Sequence, residues 1–188
     1  MRTADARRRW EGAGFLLAFA LTIPAANWLI GHVGTVCVRD GPCLVPVAPG
    51  LVAPSGVIMA GAALVLRDLV QRRLGVAAAV LAIMVGAALS ALLAPAALVV
   101  ASASAFLLSE LADLVVYTPL ARRGLVVAVV ASGMVGLVVD SVVFLWLAFG
   151  SLDFLAGQVV GKAWMVLLSI PLVAWLRRRD QRLHILPA

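Results

Sequence analysis

The chain has 188 residues, of which 64% are hydrophobic and only 13% charged, with a net charge of +6. A soluble domain carries roughly 25% charged residues. A core of this size could not hide so much apolar surface from water, so the composition excludes an ordinary soluble fold and makes the bilayer the solvent. The surplus arginines fall in short runs between apolar segments with no aromatic platform among them, which argues against a nucleic-acid surface.

The polar start, Met1 to Trp10, contains Arg7, Arg8 and Arg9. Gly12 to Gly31 is long enough to span a bilayer. With more apolar runs behind it and only Ala25-Ala26 as a weak cleavage site, it reads as a retained helix rather than a cleaved leader. His32 to Pro54 is the longest connection, rich in Gly and Pro, and carries Arg39, Asp40, Cys37 and Cys43. Outside the membrane those cysteines are either free thiols or a small local disulfide. No nearby His or second Cys pair completes a zinc pattern.

A short second run, Ser55 to Val70, has Arg67-Asp68 near its end and Gln71-Arg72-Arg73 behind it. The third run is Gly75 to Ala94, closed by a turn at Pro95. The fourth, Ala96 to Leu120, holds most of the polar residues and is followed by Arg122-Arg123. The fifth is Leu125 to Gly150, and Ser151 to Asp153 turns the chain into the sixth, Leu155 to Leu176. Arg177, Arg178 and Arg179 close the set.

The expected fold is therefore all-α. It is a single domain over residues 1–188, a polytopic six-transmembrane-helix bundle with runs at 12–31, 55–70, 75–94, 96–120, 125–150 and 155–176. With the N-terminus inside, Arg2, Arg7, Arg8, Arg9, Arg72, Arg73, Arg122, Arg123, Arg177, Arg178, Arg179 and Arg182 are all cytoplasmic, and only Arg39 is clearly outside. Both termini are then expected in the cytoplasm. Continuous rather than alternating apolar runs argue against a barrel. Trp10, Trp28, Tyr117 and Trp175 sit near run ends, as interfacial anchors do. Trp146 and Trp164 lie deeper, as packing or as a platform for a planar ligand. His32 and His184 are expected in solvent at segment ends. No internal repeat suggests an inverted-repeat carrier.

Five ionisable residues lie within these runs: Asp68, Glu110, Asp113, Asp140 and Lys162, with Asn27 in the first. A charge at bilayer depth costs at least about 2.5–3.5 kcal/mol, so such residues face a protein interior or a solute pathway. Glu110 and Asp113 stand at i, i+3 on one helix face. Ser102, Phe106 and Ser109 lie on or beside it. Two bare carboxylates so close need a shared proton or a cation, and Arg67 and Lys162 are available. Gln158 shares a face with Lys162 at i, i+4. If these helices converge, the result is a few polar groups in an apolar pocket, the usual form of a small-molecule site. The competing structural readings are that Arg67 and Asp68 end their helix at the cytoplasmic surface, and that Asp140 and Lys162 are a register-fixing pair. No Ser-His-Asp set, HExxH or phosphate-cradling loop is present, so no enzyme activity, cofactor or metal is expected.

The pattern resembles the vitamin uptake transporter-like family, also called the queuosine precursor transporter family. The likeness runs from Asn27 to Lys162. It is carried by Ala26-Asn27-Trp28-Leu29, by Pro54-Ser55-Gly56-Val57 with Leu66-Arg67-Asp68-Leu69-Val70 and Gly75, by Ala101-Ser102-Ala103-Ser104-Ala105-Phe106 with Ser109-Glu110-Leu111-Ala112-Asp113, by Val138-Val139-Asp140-Ser141, and by Lys162 with Ser169. The resemblance implies a six-helix inner-membrane carrier of 7-deazaguanines such as 7-cyano-7-deazaguanine. At the Glu110 position, family members also carry Gln. Departures here are the cysteine-bearing loop, short connections and small size. The expected partners are a deazapurine solute and the lipid bilayer, with no nucleic acid; a homodimer and an energising partner stay open. Two rivals remain: the substrate-binding component of an energy-coupling vitamin importer, and a non-transport membrane scaffold.

Overall fold

The structure is a computed structural model that describes residues 2–37, 42–183 and 185. Arg39, Asp40 and His184 fall outside the described residues. Six helices dominate: α1 (Arg2–His32), α2 (Val57–Leu74), α3 (Val76–Leu93), α4 (Val99–Leu120), α5 (Leu125–Phe149) and α6 (Leu155–Leu183). Five of them are long and apolar enough to cross a membrane. The sixth, α2, is the exception because of Arg67, Asp68, Arg72 and Arg73.

Packing explains why α2 tolerates those charges. It touches all five other helices. Leu64, Val65 and Leu69 pack with Leu137 of α5 and Val166 of α6, while Val70 packs with Phe19 of α1 and Ala82 of α3. A helix wrapped by its neighbours shows little of itself to lipid, so its polar groups need partners in the bundle rather than an apolar coat. The outer helices are inverted in character: Leu17, Leu81, Leu92, Val115, Trp146 and Leu168 are all exposed. A contiguous apolar exterior on this scale is the surface of a protein solvated by lipid.

Helices outrun the apolar stretches at two points. α1 begins at Arg2 rather than Gly12, and α6 continues to Leu183 rather than stopping at Leu176. Both extensions carry charged turns that pair with one another, as described below.

The six helices bear out the all-α class, and one small addition stands beside them. The long connection holds a three-stranded antiparallel sheet in the order β1 (Val36–Cys37), β2 (Cys43–Ala48), β3 (Leu51–Pro54). Val45 faces Ala53 and Pro46 faces Val52 across the hairpin. Its turn is Pro49-Gly50, with Gly50 at φ 73°. Proline presets the first corner and glycine takes the positive φ of the second, which is the chemistry of a type II turn. Cys37 and Cys43 are cross-strand partners joined by a disulfide. The sheet is fastened to the bundle on two sides. Ser55 Oγ donates to the Leu29 carbonyl at 2.7 Å, and Trp164 Nε1 donates to the Val47 carbonyl at 2.9 Å. At Gly157 the α6 backbone lies so close to the Val52 carbonyl that a Cβ would overlap it.

Candidate functional site

Below the sheet lies a cavity of about 120 Å³ between α1, α2, α3, α4, α5 and α6. That is smaller than the roughly 300–1,000 Å³ of drug-sized sites and suits a small solute. Its apolar wall comes from Ile23, Met59, Ala60 and Ala105, among others. The polar groups converge from different helices: Asn27 from α1, Ser102, Ser109 and Glu110 from α4, Asp140 from α5, Gln158 and Lys162 from α6. Phe106 adds an aromatic face one helical turn from Glu110.

Asp68 and Asp113 are not in that wall. Both are fully buried, in a second cluster centred on Arg67. Nor does Arg67 end its helix at a surface. α2 runs on to Leu74, and Arg67 and Asp68 have no solvent exposure. Tyr117, read as an interfacial anchor, is instead buried with its ring 5.7 Å from the Arg67 guanidinium carbon. Trp146 and Trp164 face outward and do not line the cavity, whereas Trp10, Trp28 and Trp175 are exposed at helix positions suited to anchoring. Sequence reading missed Ser90 of α3 and Phe144 of α5, which also line the cavity. Phe144 stands four residues after Asp140, so the same i, i+4 rule that linked Gln158 to Lys162 would have found it.

In the cavity, Lys162 Nζ lies 2.5 Å from Asp140 Oδ2, 2.5 Å from Gln158 Oε1 and 2.9 Å from Ser141 Oγ. An ammonium has three donors, and all three are in use. The pair anticipated between Asp140 and Lys162 is therefore present and also reaches the cavity. Asp140 is 18% exposed at its side chain, with its second oxygen outside that contact. Glu110 Oε2 accepts from Arg67 Nε at 3.1 Å, leaving the other carboxylate oxygen uncommitted to Arg67. The Asn27 amide donates to the Ile23 carbonyl at 2.9 Å, which fixes its rotamer. Phe106 is held by Phe19, at 5.9 Å between ring centroids, and by Gly86, where a Cβ would come within 2.6 Å of the Phe106 ring.

The Arg67 cluster forms the floor behind Glu110. The guanidinium reaches Asp68 Oδ1 at 2.8 Å, Glu110, Asp113 and the Gln71 amide oxygen at 3.2 Å. Ser132 of α5 donates to Asp68 Oδ2 at 3.0 Å. Asp113 approaches α5 because position 136 is glycine; a Cβ there would meet Leu64 at 2.7 Å and Asp113 Oδ2 at 3.2 Å. A third charged group ties the helix ends. Arg73 reaches Glu11 at 2.9 Å and Asp180 at 2.7 Å, Arg72 reaches Asp180 at 2.7 Å, and Arg179 reaches Glu11 at 2.5 Å.

An apolar bundle with a small polar cavity among its helices is the build of a membrane protein that handles a small solute. Residues 90–176 match the family model described as "Putative vitamin uptake transporter". Over that stretch, α4 and α5 with most of α6, the chain is similar to a family of membrane transporters, the one expected from its motifs. No curated protein and no solved structure matches the chain.

Proposed function

We propose that this protein imports a queuosine precursor, a 7-deazaguanine such as 7-cyano-7-deazaguanine, across the cytoplasmic membrane. In this reading all six helices span, both termini are cytoplasmic, and the sheet lies on the outer face. The carrying observation is that an uncommitted oxygen of Glu110 and the ring of Phe106 share one small cavity. A deazaguanine presents a ring N–H and an exocyclic amine along one edge, and a carboxylate accepts both. Hydrogen bonds to charged groups contribute about 1.5–3 kcal/mol each. Glu110 takes that edge, with Asp140 or Asp113 as the second carboxylate. Asn27, Gln158 and Lys162 meet the carbonyl and ring nitrogens, and Lys162 frees a donor by loosening one of its three contacts. Phe106 stacks on the ring. Ser102 and Ser109 line the approach, and Asp68 supports the site through Arg67.

The test is uptake of labelled 7-cyano-7-deazaguanine into cells unable to make it. Glu110→Ala should abolish uptake while the protein still inserts, and Glu110→Gln should retain part of it. Undiminished uptake by Glu110→Ala sinks the assignment. Running the assay in cells without any energy-coupling ATPase module separates a solitary carrier, which still works, from a substrate-binding subunit, which stops. Absence of deazapurine binding to purified protein by calorimetry favours a scaffold instead.

A further inference from the structure

The Arg67 cluster holds one guanidinium and three carboxyl groups. If all three were ionised, the floor of the cavity would carry two uncompensated negative charges on side chains almost wholly removed from solvent. Isolated charge in low dielectric is strongly disfavoured, and such groups take up protons instead. Nor is the excess offset nearby, because Lys162 is already matched by Asp140.

Two atoms show where a proton belongs. Asp113 Oδ2 is buried without a hydrogen-bond partner among the described residues, and Asp68 Oδ1 is buried with no partner but its ion pair to Arg67. Both side chains have no solvent exposure. The two carboxyl groups meet at one guanidinium, Asp68 on one terminal nitrogen and Asp113 on the other. Two carboxylates cannot hydrogen-bond unless one of them carries the proton.

We propose that Asp68 and Asp113 form a carboxyl dyad sharing one proton, and that this dyad is the coupling-ion site of the carrier. This step rests on the transport reading above. The groups facing the dyad are Arg67 from α2 and Glu110 and Tyr117 from α4. From α5 come Ser132 at the same level and Asp140 about two turns along, paired with Lys162 of α6. Arg67 connects dyad and cavity. Its Nε holds Glu110 and its two other nitrogens hold Asp113 and Asp68. A solute that draws Glu110 away from Arg67 strengthens the guanidinium's hold on the dyad and favours release of the shared proton. By linkage, the proton in turn shifts the solute's affinity by the same factor.

Two measurements test this. Infrared spectra of the purified protein at neutral pH should show a carbonyl band of a protonated carboxylic acid. It should vanish in Asp113→Asn or Asp68→Asn and survive in Glu110→Gln. Absence of the band, or its loss only in Glu110→Gln, overturns the dyad even if transport is intact, and either Asp variant suffices should the other fail to fold. In proteoliposomes with the membrane potential clamped at zero, one pH unit, acid inside, should concentrate labelled 7-cyano-7-deazaguanine about tenfold, because each solute bound displaces one proton. Uptake that equilibrates without concentrating overturns the coupling. Complete absence of uptake overturns the transport reading, while the infrared result still decides the dyad.

Discussion

The Arg67 and Arg73 clusters lie on one helix, six residues and about 9 Å of rise apart. In the first, one arginine faces three carboxyl groups. In the second, Arg72, Arg73 and Arg179 share Glu11 and Asp180. The deep cluster therefore has too much negative charge and the terminal one too much positive. Excess arginine at a helix end is tolerable because water and lipid headgroups are close, and the partly exposed Arg72 and Arg179 side chains reach towards them while Arg73 stays buried between its two carboxylates. Excess carboxylate on fully buried side chains beneath the cavity has no such outlet. The difference teaches that charge at the terminus fastens helices, whereas charge in the middle has to be managed by protons or by a bound solute.

The comparison can be broken most directly at Arg67. Arg67→Met leaves three buried carboxyl groups without a cation, and breaking a buried pair on one side costs about 3–5 kcal/mol. Thermal unfolding in detergent should show a large loss of stability; a melting curve like that of the parent protein would remove Arg67 from its central place. Asp180→Ala should cost less, about 1–3 kcal/mol, because the arginines it leaves behind are near the helix ends. If both variants lost the same amount, the distinction between middle and end would fail. Gly136→Ala sharpens the picture without removing any charge. The added methyl presses on Leu64 and Asp113, and crowding of this kind costs roughly 1–3 kcal/mol, toward the lower end here because the Leu64 side chain can move. The expected signature is a modest drop in stability with a shift in the infrared carboxyl band. Gly86→Ala should have the smallest effect. It pushes the Phe106 ring aside, so calorimetry should record several-fold weaker solute binding with only a small drop in melting temperature.

Much of the bundle is legible in the residues. Five apolar runs mark helices that face lipid, because a lipid-facing helix must be apolar around most of its girth. Glu110, Asp140, Lys162 and Asn27 stand out as polar residues that lipid would reject, and they do come together in space. Arg67 was harder to read. It lies between a short apolar run and the Gln71-Arg72-Arg73 tail, so by sequence it belongs to a helix end. Only the wrapping of α2 by its neighbours reveals it as a centre, and Tyr117 was misread for the same reason. Hydropathy measures exposure to lipid, and neither residue has any. The sheet was hidden differently. Strands of two, six and four residues are too short to show a period against a background of Gly and Pro.

The disulfide gives this protein an unplanned label. Cys37 and Cys43 are the only cysteines in the chain, and they are bonded to each other in the hairpin. After mild reduction of intact cells, a membrane-impermeant maleimide has one target region. Labelling from outside would place the sheet outside, and labelling only after lysis would reverse the proposed orientation. The wild-type chain thus reports its own sidedness without an engineered tag.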